Sequence, residues 1–62
     1  MDAAAELDKA ERDAWKNLAR YKFWQFGYYA ARWVYVNHVT RSKRSNPFRK
    51  IVTIAREVLN AR

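Results

Sequence analysis

Residues 21–36 read YKFWQFGYYAARWVYV and hold eight of the ten aromatic side chains in this 62-residue chain. On a helical wheel, the apolar side chains of this segment cover most of the circumference. The polar remainder is a narrow stripe around Lys22, Gln25 and Arg32. A helix that is apolar nearly all round is normally buried nearly all round. The segment therefore predicts an all-α fold in which this helix packs against other helices on more than one side.

The sequence before this aromatic segment extends the predicted helix toward the N-terminus. Residues 2–24 read DAAAELDKAERDAWKNLARYKFW, which is rich in good helix formers, and Asp2 can cap the first turn. With no proline before residue 47, we predict one long helix over residues 3–40. Gly27 leaves two alternatives, because a mid-helix glycine costs about 1 kcal/mol relative to alanine. Either the helix bends or breaks there, or another helix approaches closely along a strip of small residues, which comprises Gly27, Ala30, Ala31 and Val34.

The C-terminal third predicts a basic connector and a second helix. Residues 41–46 read RSKRSN, and residues 47–61 follow as PFRKIVTIAREVLNA. Asn46 is the expected N-cap, and Pro47 suits the first helical position. Apolar residues recur at spacings of three and four and form one face, which comprises Phe48, Ile51, Val52, Ala55, Val58 and Leu59. We expect this helix to fold back antiparallel on the first, so that residues 1–62 form a single domain, a helical hairpin of one long and one short helix.

Self-association is the expected source of stability for this hairpin. A chain of this size is marginal without disulfides or metal, and it has no cysteine. The second helix, about 22 Å long, covers only one side of a first helix of about 55 Å. We therefore predict a homo-oligomeric helical bundle, most simply a dimer, in which one stripe of the N-terminal part packs on a partner chain. That stripe comprises Leu7, Ala10, Ala14 and Leu18. The predicted core or oligomer interface comprises Trp15, Leu18, Phe26, Tyr29, Trp33, Val36, Ile51, Ala55 and Leu59.

The positive charge is concentrated in the second part of the chain. The net charge is +7, with −2 on residues 1–19 and +9 on residues 20–62. Positive charge in the first turn of a helix is unfavourable for the helix, so the cations around residue 47 call for another explanation. Contact with nucleic-acid phosphates is one, while a solvated loop, an acidic protein surface or a lipid surface stays open. The predicted nucleic-acid-binding residues are Arg41, Lys43, Arg44, Arg49 and Lys50.

The aromatic residues allow three interpretations. Packing in a core or interface is the simplest. Stacking on unpaired bases requires exposed rings interleaved with basic residues, as at Tyr21–Phe23 and Arg32–Trp33. Binding to a membrane surface would use tryptophan and tyrosine beside basic residues. The run at residues 21–39 is long enough to span a bilayer, but its charged residues make a membrane span costly, and we expect none.

The sequence contains no recognisable catalytic machinery. Metal-ligand spacings, a glycine-rich phosphate loop and a nucleophile elbow are all missing from it, and His38 is the single histidine. We therefore expect a protein that is not an enzyme and that uses neither a metal nor another cofactor. The acidic N-terminal segment lacks the apolar core of a signal peptide, and the lack of cysteine fits a reducing compartment. A cytoplasmic location is the corresponding expectation.

Two runs of the chain resemble short orphan proteins encoded by bacteriophages and prophages. They are residues 18–39, LARYKFWQFGYYAARWVYVNHV, and residues 46–57, NPFRKIVTIARE. The resemblance carries over no functional residues, but it implies a small viral accessory protein that acts by binding. We expect a basic module that contacts the phosphates of DNA or RNA through its connector. The alternative is a module that docks on a host or viral protein through its aromatic face.

Overall fold

The computed structural model describes residues 2–61, which form three α-helices and no strand. Helix α1 spans Ala3–Leu18, α2 spans Phe23–Val39 and α3 spans Arg49–Asn60. The all-α prediction is confirmed. The prediction of a two-helix hairpin is wrong, because the residues assigned to one long helix over 3–40 form two helices, α1 and α2, joined by a tight turn.

The turn between α1 and α2 is built around Tyr21, which adopts a left-handed backbone conformation with φ of 63°. Its N–H donates to the Leu18 carbonyl at 3.0 Å, and the Lys22 N–H donates to the Asn17 carbonyl at 2.9 Å. These two bonds satisfy carbonyls at the end of α1 and reverse the chain. Glycine is the usual residue at such a position, because other residues pay about 1–2 kcal/mol there.

Gly27 is not the site of the break. It lies inside α2, one turn after the N-terminal end of that helix. A Cβ atom added to it would meet no heavy atom of another segment within 4 Å, so no other part of residues 2–61 approaches this glycine closely. Neither alternative for Gly27 holds within residues 2–61. The helix does not break there, and no neighbouring segment packs closely against it.

Helices α1 and α2 form an antiparallel pair that contains most of the core. Ala10 and Ala14 are buried together with Leu7 on one stripe of α1, and they face Trp33 and Val36 of α2. The small alanine side chains leave room for the large indole of Trp33. The expectation that this stripe packs on a partner chain is wrong, because the turn at Tyr21 brings α2 of the same chain onto it.

Opposite charges on α1 and on the rest of the chain support this pairing. Arg32 donates to Glu6 at 3.2 Å across the two helices. Within α1, the Lys9 ammonium donates to Asp13 at 2.9 Å, and this hydrogen bond raises the pKa of Lys9 above its ordinary value. Both pairs lie at the surface, where water and salt screen the attraction, so neither is a major source of stability. The contact between Arg32 and Glu6 joins α2 to α1, whereas the contact between Lys9 and Asp13 lies within α1.

Phe48 attaches the segment after α2 to the helical pair. Its ring is 5% exposed, and its centroid lies 5.1 Å from Trp15, 5.5 Å from Phe26 and 6.3 Å from Trp33. The Phe26 and Trp33 rings meet it edge to face, a favoured arrangement for aromatic pairs. One side chain outside α1 and α2 therefore completes the core that these helices begin.

Helix α3 projects from this core and does not fold back along α1 or α2. No Cα atom of α3 lies within 8 Å of a Cα atom in either helix, and none of its residues is buried. The radius of gyration is 12.7 Å, against about 11 Å for a compact 62-residue domain. The helix also begins later than predicted: Asn46 accepts from the Phe48 N–H at 2.8 Å, and the first helical residue is Arg49.

Among the described residues 2–61, no helix combines the length and the apolar character that crossing a membrane requires.

The left-handed position of Tyr21 predicts an unusual mutational response. Changing Tyr21→Gly should raise the free energy of unfolding by about 1 kcal/mol, because glycine adopts this conformation without strain. Tyr21→Val should lower it, since a branched Cβ is less tolerant of positive φ. Urea denaturation followed by circular dichroism measures both. Equal destabilisation by the two substitutions would contradict the assigned turn.

Removing the Phe48 ring should destabilise the whole fold. Phe48→Ala empties the space between Trp15, Phe26 and Trp33, and such changes cost about 3–5 kcal/mol. For a domain of this size the loss approaches the total stability. Trp24→Ala is the matched control, because Trp24 is 80% exposed and should change stability by less than about 0.5 kcal/mol. Thermal denaturation compares the two variants.

Candidate nucleic-acid interface

The basic connector starts from a second left-handed turn, at the end of α2. Arg41 has φ of 56°, and its N–H donates to the His38 carbonyl at 3.2 Å. The Ser42 N–H donates to the Asn37 carbonyl at 3.2 Å, which closes α2 in the way that α1 is closed at Tyr21. The Thr40 hydroxyl donates to the Val36 carbonyl at 2.6 Å. The connector therefore leaves α2 in one defined direction.

The Asn37 side chain holds the middle of the connector. Its amide nitrogen donates to the Arg44 carbonyl at 3.1 Å, and its amide oxygen accepts from the Arg44 N–H at 3.0 Å. Both backbone polar groups of Arg44 are thus satisfied by one side chain of α2. Together with the anchor at Phe48, this pairing lays the connector against the helical pair.

Strain in the connector shows that contacts with the rest of the fold determine its conformation. Lys43 is left-handed with φ of 57°, as Arg41 is, and neither is a glycine. Each such residue costs about 1–2 kcal/mol. A flexible loop without contacts to the rest of the fold would adopt backbone conformations with negative φ at these residues. Here the bonds to Asn37 and the burial of Phe48 offset the strain, and the basic side chains leave the surface from fixed positions.

The five predicted phosphate-binding residues differ in their electrostatic surroundings. Arg44 donates to the Asp8 carboxylate of α1 at 2.8 Å, so its charge is already paired. Within residues 2–61, Arg41, Lys43, Arg49 and Lys50 form no ion pair with a carboxylate. All four of these residues are exposed to solvent. The structure therefore leaves four of the five charges available to an external anion.

These four cations fall into two groups. Arg41 and Lys43 border an open concavity of about 690 Å³, together with Val34, Asn37 and His38 of α2. Arg49 and Lys50 border another of about 680 Å³ around the first turn of α3. Hydroxyl and amide groups line this second concavity beside the two cations, namely those of Ser45, Asn46 and Thr53. These short polar side chains of the second concavity can donate hydrogen bonds to phosphate oxygens.

The residues predicted for the core or oligomer interface occupy very different environments. Trp33 and Val36 are buried, and Leu18, Phe26, Tyr29 and Ile51 are less accessible than the outer face of α2. Trp15 is at the edge of the core, 36% exposed, and its indole N–H donates to Glu11 at 3.1 Å. Ala55 and Leu59 are exposed on α3.

Two structural roles had little or no signal in the sequence. Phe48 was assigned to the apolar face of α3, whereas it lies just before that helix and packs into the core. Its position as the one aromatic residue after Tyr35 was a usable signal. The pairing of Asn37 with Arg44 had none, because a side-chain amide that binds a backbone seven residues away follows no periodic pattern.

Exposed aromatic rings form a separate surface on α2. Trp24, Tyr28 and Tyr35 are 80%, 55% and 64% exposed, and their spacing places them on one side of the helix. We call these three residues the aromatic ridge. Trp33, by contrast, is buried, so the proposed stacking pair Arg32–Trp33 is not available to a base. Within residues 2–61, no three metal-binding side chains come together.

Breaking the pairing between Asn37 and Arg44 should loosen the connector without unfolding the helices. Asn37→Ala removes two hydrogen bonds, each of which contributes about 1 kcal/mol. The exchange of the Arg44 amide hydrogen with solvent should accelerate, while amides in the middle of α2 should exchange as before. Hydrogen exchange followed by NMR measures this difference. An unchanged Arg44 amide would contradict the pairing.

The chain matches no known protein-family model, and no curated protein or solved structure is similar to it at a significant level.

Proposed function

We propose that this chain is a non-enzymatic module that binds the phosphate backbone of nucleic acid through its connector and the first turn of α3. The observation that carries the proposal is the combination of a strained, internally held connector with unpaired cations. Arg41 and Lys43 both occupy left-handed positions and have no acidic partner within residues 2–61. Because their backbone is already held, these residues lose less backbone entropy on binding an anion than residues of a flexible loop do.

The distribution of the acidic residues supports the same proposal. The acids that form ion pairs, Glu6, Asp8 and Asp13, all lie on α1. Residues 20–62 carry a net charge of +9, with Glu57 as the single acid. The field around the connector and the first turn of α3 is therefore positive, which attracts a polyanion and accelerates its association.

Binding of this kind reads the backbone and not the base sequence. The candidate contacts are point charges and hydroxyl groups, which position a protein on nucleic acid but carry no sequence information. The proposed contacts lie on the connector and on the first turn of α3, and no helix within residues 2–61 is assigned to read base edges in a groove. We propose affinity for DNA and RNA with weak sequence preference and strong dependence on salt.

The cellular setting belongs to the same proposal. We propose a cytoplasmic, self-associating accessory protein of viral origin, on the resemblance to bacteriophage and prophage orphan proteins. A binding protein of this size would act by covering nucleic acid or by recruiting a second component to it.

The aromatic ridge favours a second candidate function. Large exposed rings are enriched in protein interfaces, and Trp24, Tyr28 and Tyr35 lie apart from the connector cations on the helix. Docking on a host or viral protein through this ridge is the alternative. Neutralising the connector would abolish nucleic-acid binding and spare such docking, whereas serine substitutions in the ridge would do the reverse.

Neutralising the four unpaired cations should remove binding to a DNA duplex. Asparagine is the replacement at residues 41 and 43 because it tolerates the left-handed conformation, and glutamine suits the helical positions 49 and 50. The slope of log affinity against log salt should fall by up to about 0.9 for each phosphate that the variant no longer neutralises. Fluorescence anisotropy at several salt concentrations measures it. The variant carries Arg41→Asn, Lys43→Asn, Arg49→Gln and Lys50→Gln.

The control variant removes the same total charge at positions away from the connector. Equal weakening of binding in the two variants would show that only net charge matters, and unchanged binding in the first would refute the proposal. Circular dichroism confirms that both variants keep their helices. The control carries Arg12→Gln, Lys16→Gln, Arg20→Gln and Arg56→Gln.

A further inference from the structure

We infer that α3 is an exchanged arm: the α3 of each chain docks in an apolar groove of a second copy, across a two-fold axis. The groove lies between α2 and the start of α3 and has a volume of about 240 Å³. We call it the arm groove. This inference is independent of nucleic-acid binding, because it concerns the apolar surfaces and not the cations. The arm groove is lined by Phe26, Ala30, Ala31, Val34, Phe48 and Ile51, among other residues.

The arm itself has a fully segregated apolar face. On a helical wheel, its apolar side chains occupy an arc of about 160°, and every polar residue of α3 lies outside that arc. Val58 and Leu59 on this face are 54% and 72% exposed. A twelve-residue helix is marginal in water by itself, and such helices are normally stabilised by packing an apolar face. Nothing within residues 2–61 covers this face beyond Ile51.

Gly27 supplies a second, separate observation. It lies on the same side of α2 as Ala31 and Val34 of the arm groove. Glycine in this position costs about 1 kcal/mol relative to alanine, and a Cβ would meet nothing within 4 Å. Packing within the chain therefore gives no reason for a glycine. Close approach of a helix from another molecule does, because small residues allow two helix backbones to come near each other.

The solvent-accessible area of this chain exceeds that of a typical monomer by about as much as a dimer interface buries. A folded monomer of 7.4 kDa exposes about 4,200 Å². This chain exposes 5182 Å², about 1,000 Å² more. A standard protein interface buries roughly 800 Å² on each partner. The excess is thus enough for one interface of ordinary size.

A second copy fits these surfaces better than another occupant, because each chain carries both halves of the contact. The arm offers an apolar helix face, and the arm groove offers an apolar concavity beside small residues. A two-fold axis uses both halves twice and leaves neither the arm nor the arm groove unpaired. The polar side of α3, with Arg49, Lys50 and Arg56, would remain in solvent.

Sedimentation of the wild-type chain and of two arginine variants tests the inference. The wild type should sediment at twice its 7.4 kDa mass at micromolar concentration. Gly27→Arg places a charged side chain in the path of the arm and should weaken association roughly tenfold or more. Its fold should persist, because the position has open space and arginine is a better helix former than glycine.

Gln25→Arg is the matched control, since it adds the same charge to an exposed position on another side of α2. It should associate like the wild type, whereas Leu59→Arg on the arm should behave like Gly27→Arg. A monomeric wild type across about 1 to 100 μM, or equal behaviour of the Gly27 and Gln25 variants, would overturn the inference. So would a monomer that binds vesicles of anionic lipid through α3, which would make a membrane surface the occupant.

Discussion

Phe48 is the contact on which the position of everything after α2 depends. The pair of α1 and α2 has its own core, but the space between Trp15, Phe26 and Trp33 is filled from outside the pair. The ring fixes one end of the connector, and the closing turn of α2 fixes the other. Because both ends are fixed, the connector has little freedom to relax, and this constraint holds Arg41 and Lys43 in left-handed conformations. The positions of these two cations on the surface thus depend on the packing of the Phe48 ring in the core.

The two left-handed caps explain why a chain with one glycine can turn twice. At Tyr21 and at Arg41 the helix ends because tertiary contacts stabilise the reversal, and not because the local residue favours it. After Tyr21, the stabilising contact is burial of Trp33 and Val36 against α1. After Arg41, it is burial of Phe48. Each turn costs about 1–2 kcal/mol, and each of these burials contributes more than that.

The sequence predicted the all-α fold class and the basic connector, but it missed the break between α1 and α2. Glycine and proline are the usual signals of a helix break. Gly27 was therefore the candidate, whereas Tyr21 gives no local signal of a break. The stripe of Leu7, Ala10 and Ala14 was visible in the sequence, and an unbroken helix left it without a partner in the chain. The charge asymmetry of the sequence is a signal for this pairing, because an acidic first helix beside a basic remainder allows contacts such as Glu6–Arg32. The direction in which α3 leaves the core depends on the path of the connector, and the spacing of apolar residues does not predict that path.

The two groups of cations differ in how they depend on self-association. Arg41 and Lys43 sit on a connector that is held within one chain, by Asn37 and Phe48. Arg49 and Lys50 sit on the first turn of α3, and their charges oppose the dipole of that helix. If a second copy holds α3 in place, as we infer, then Arg49 and Lys50 take up fixed positions only in the dimer. Phosphate binding would then strengthen with protein concentration for a reason beyond simple avidity, because association would order two of the four cations in each chain.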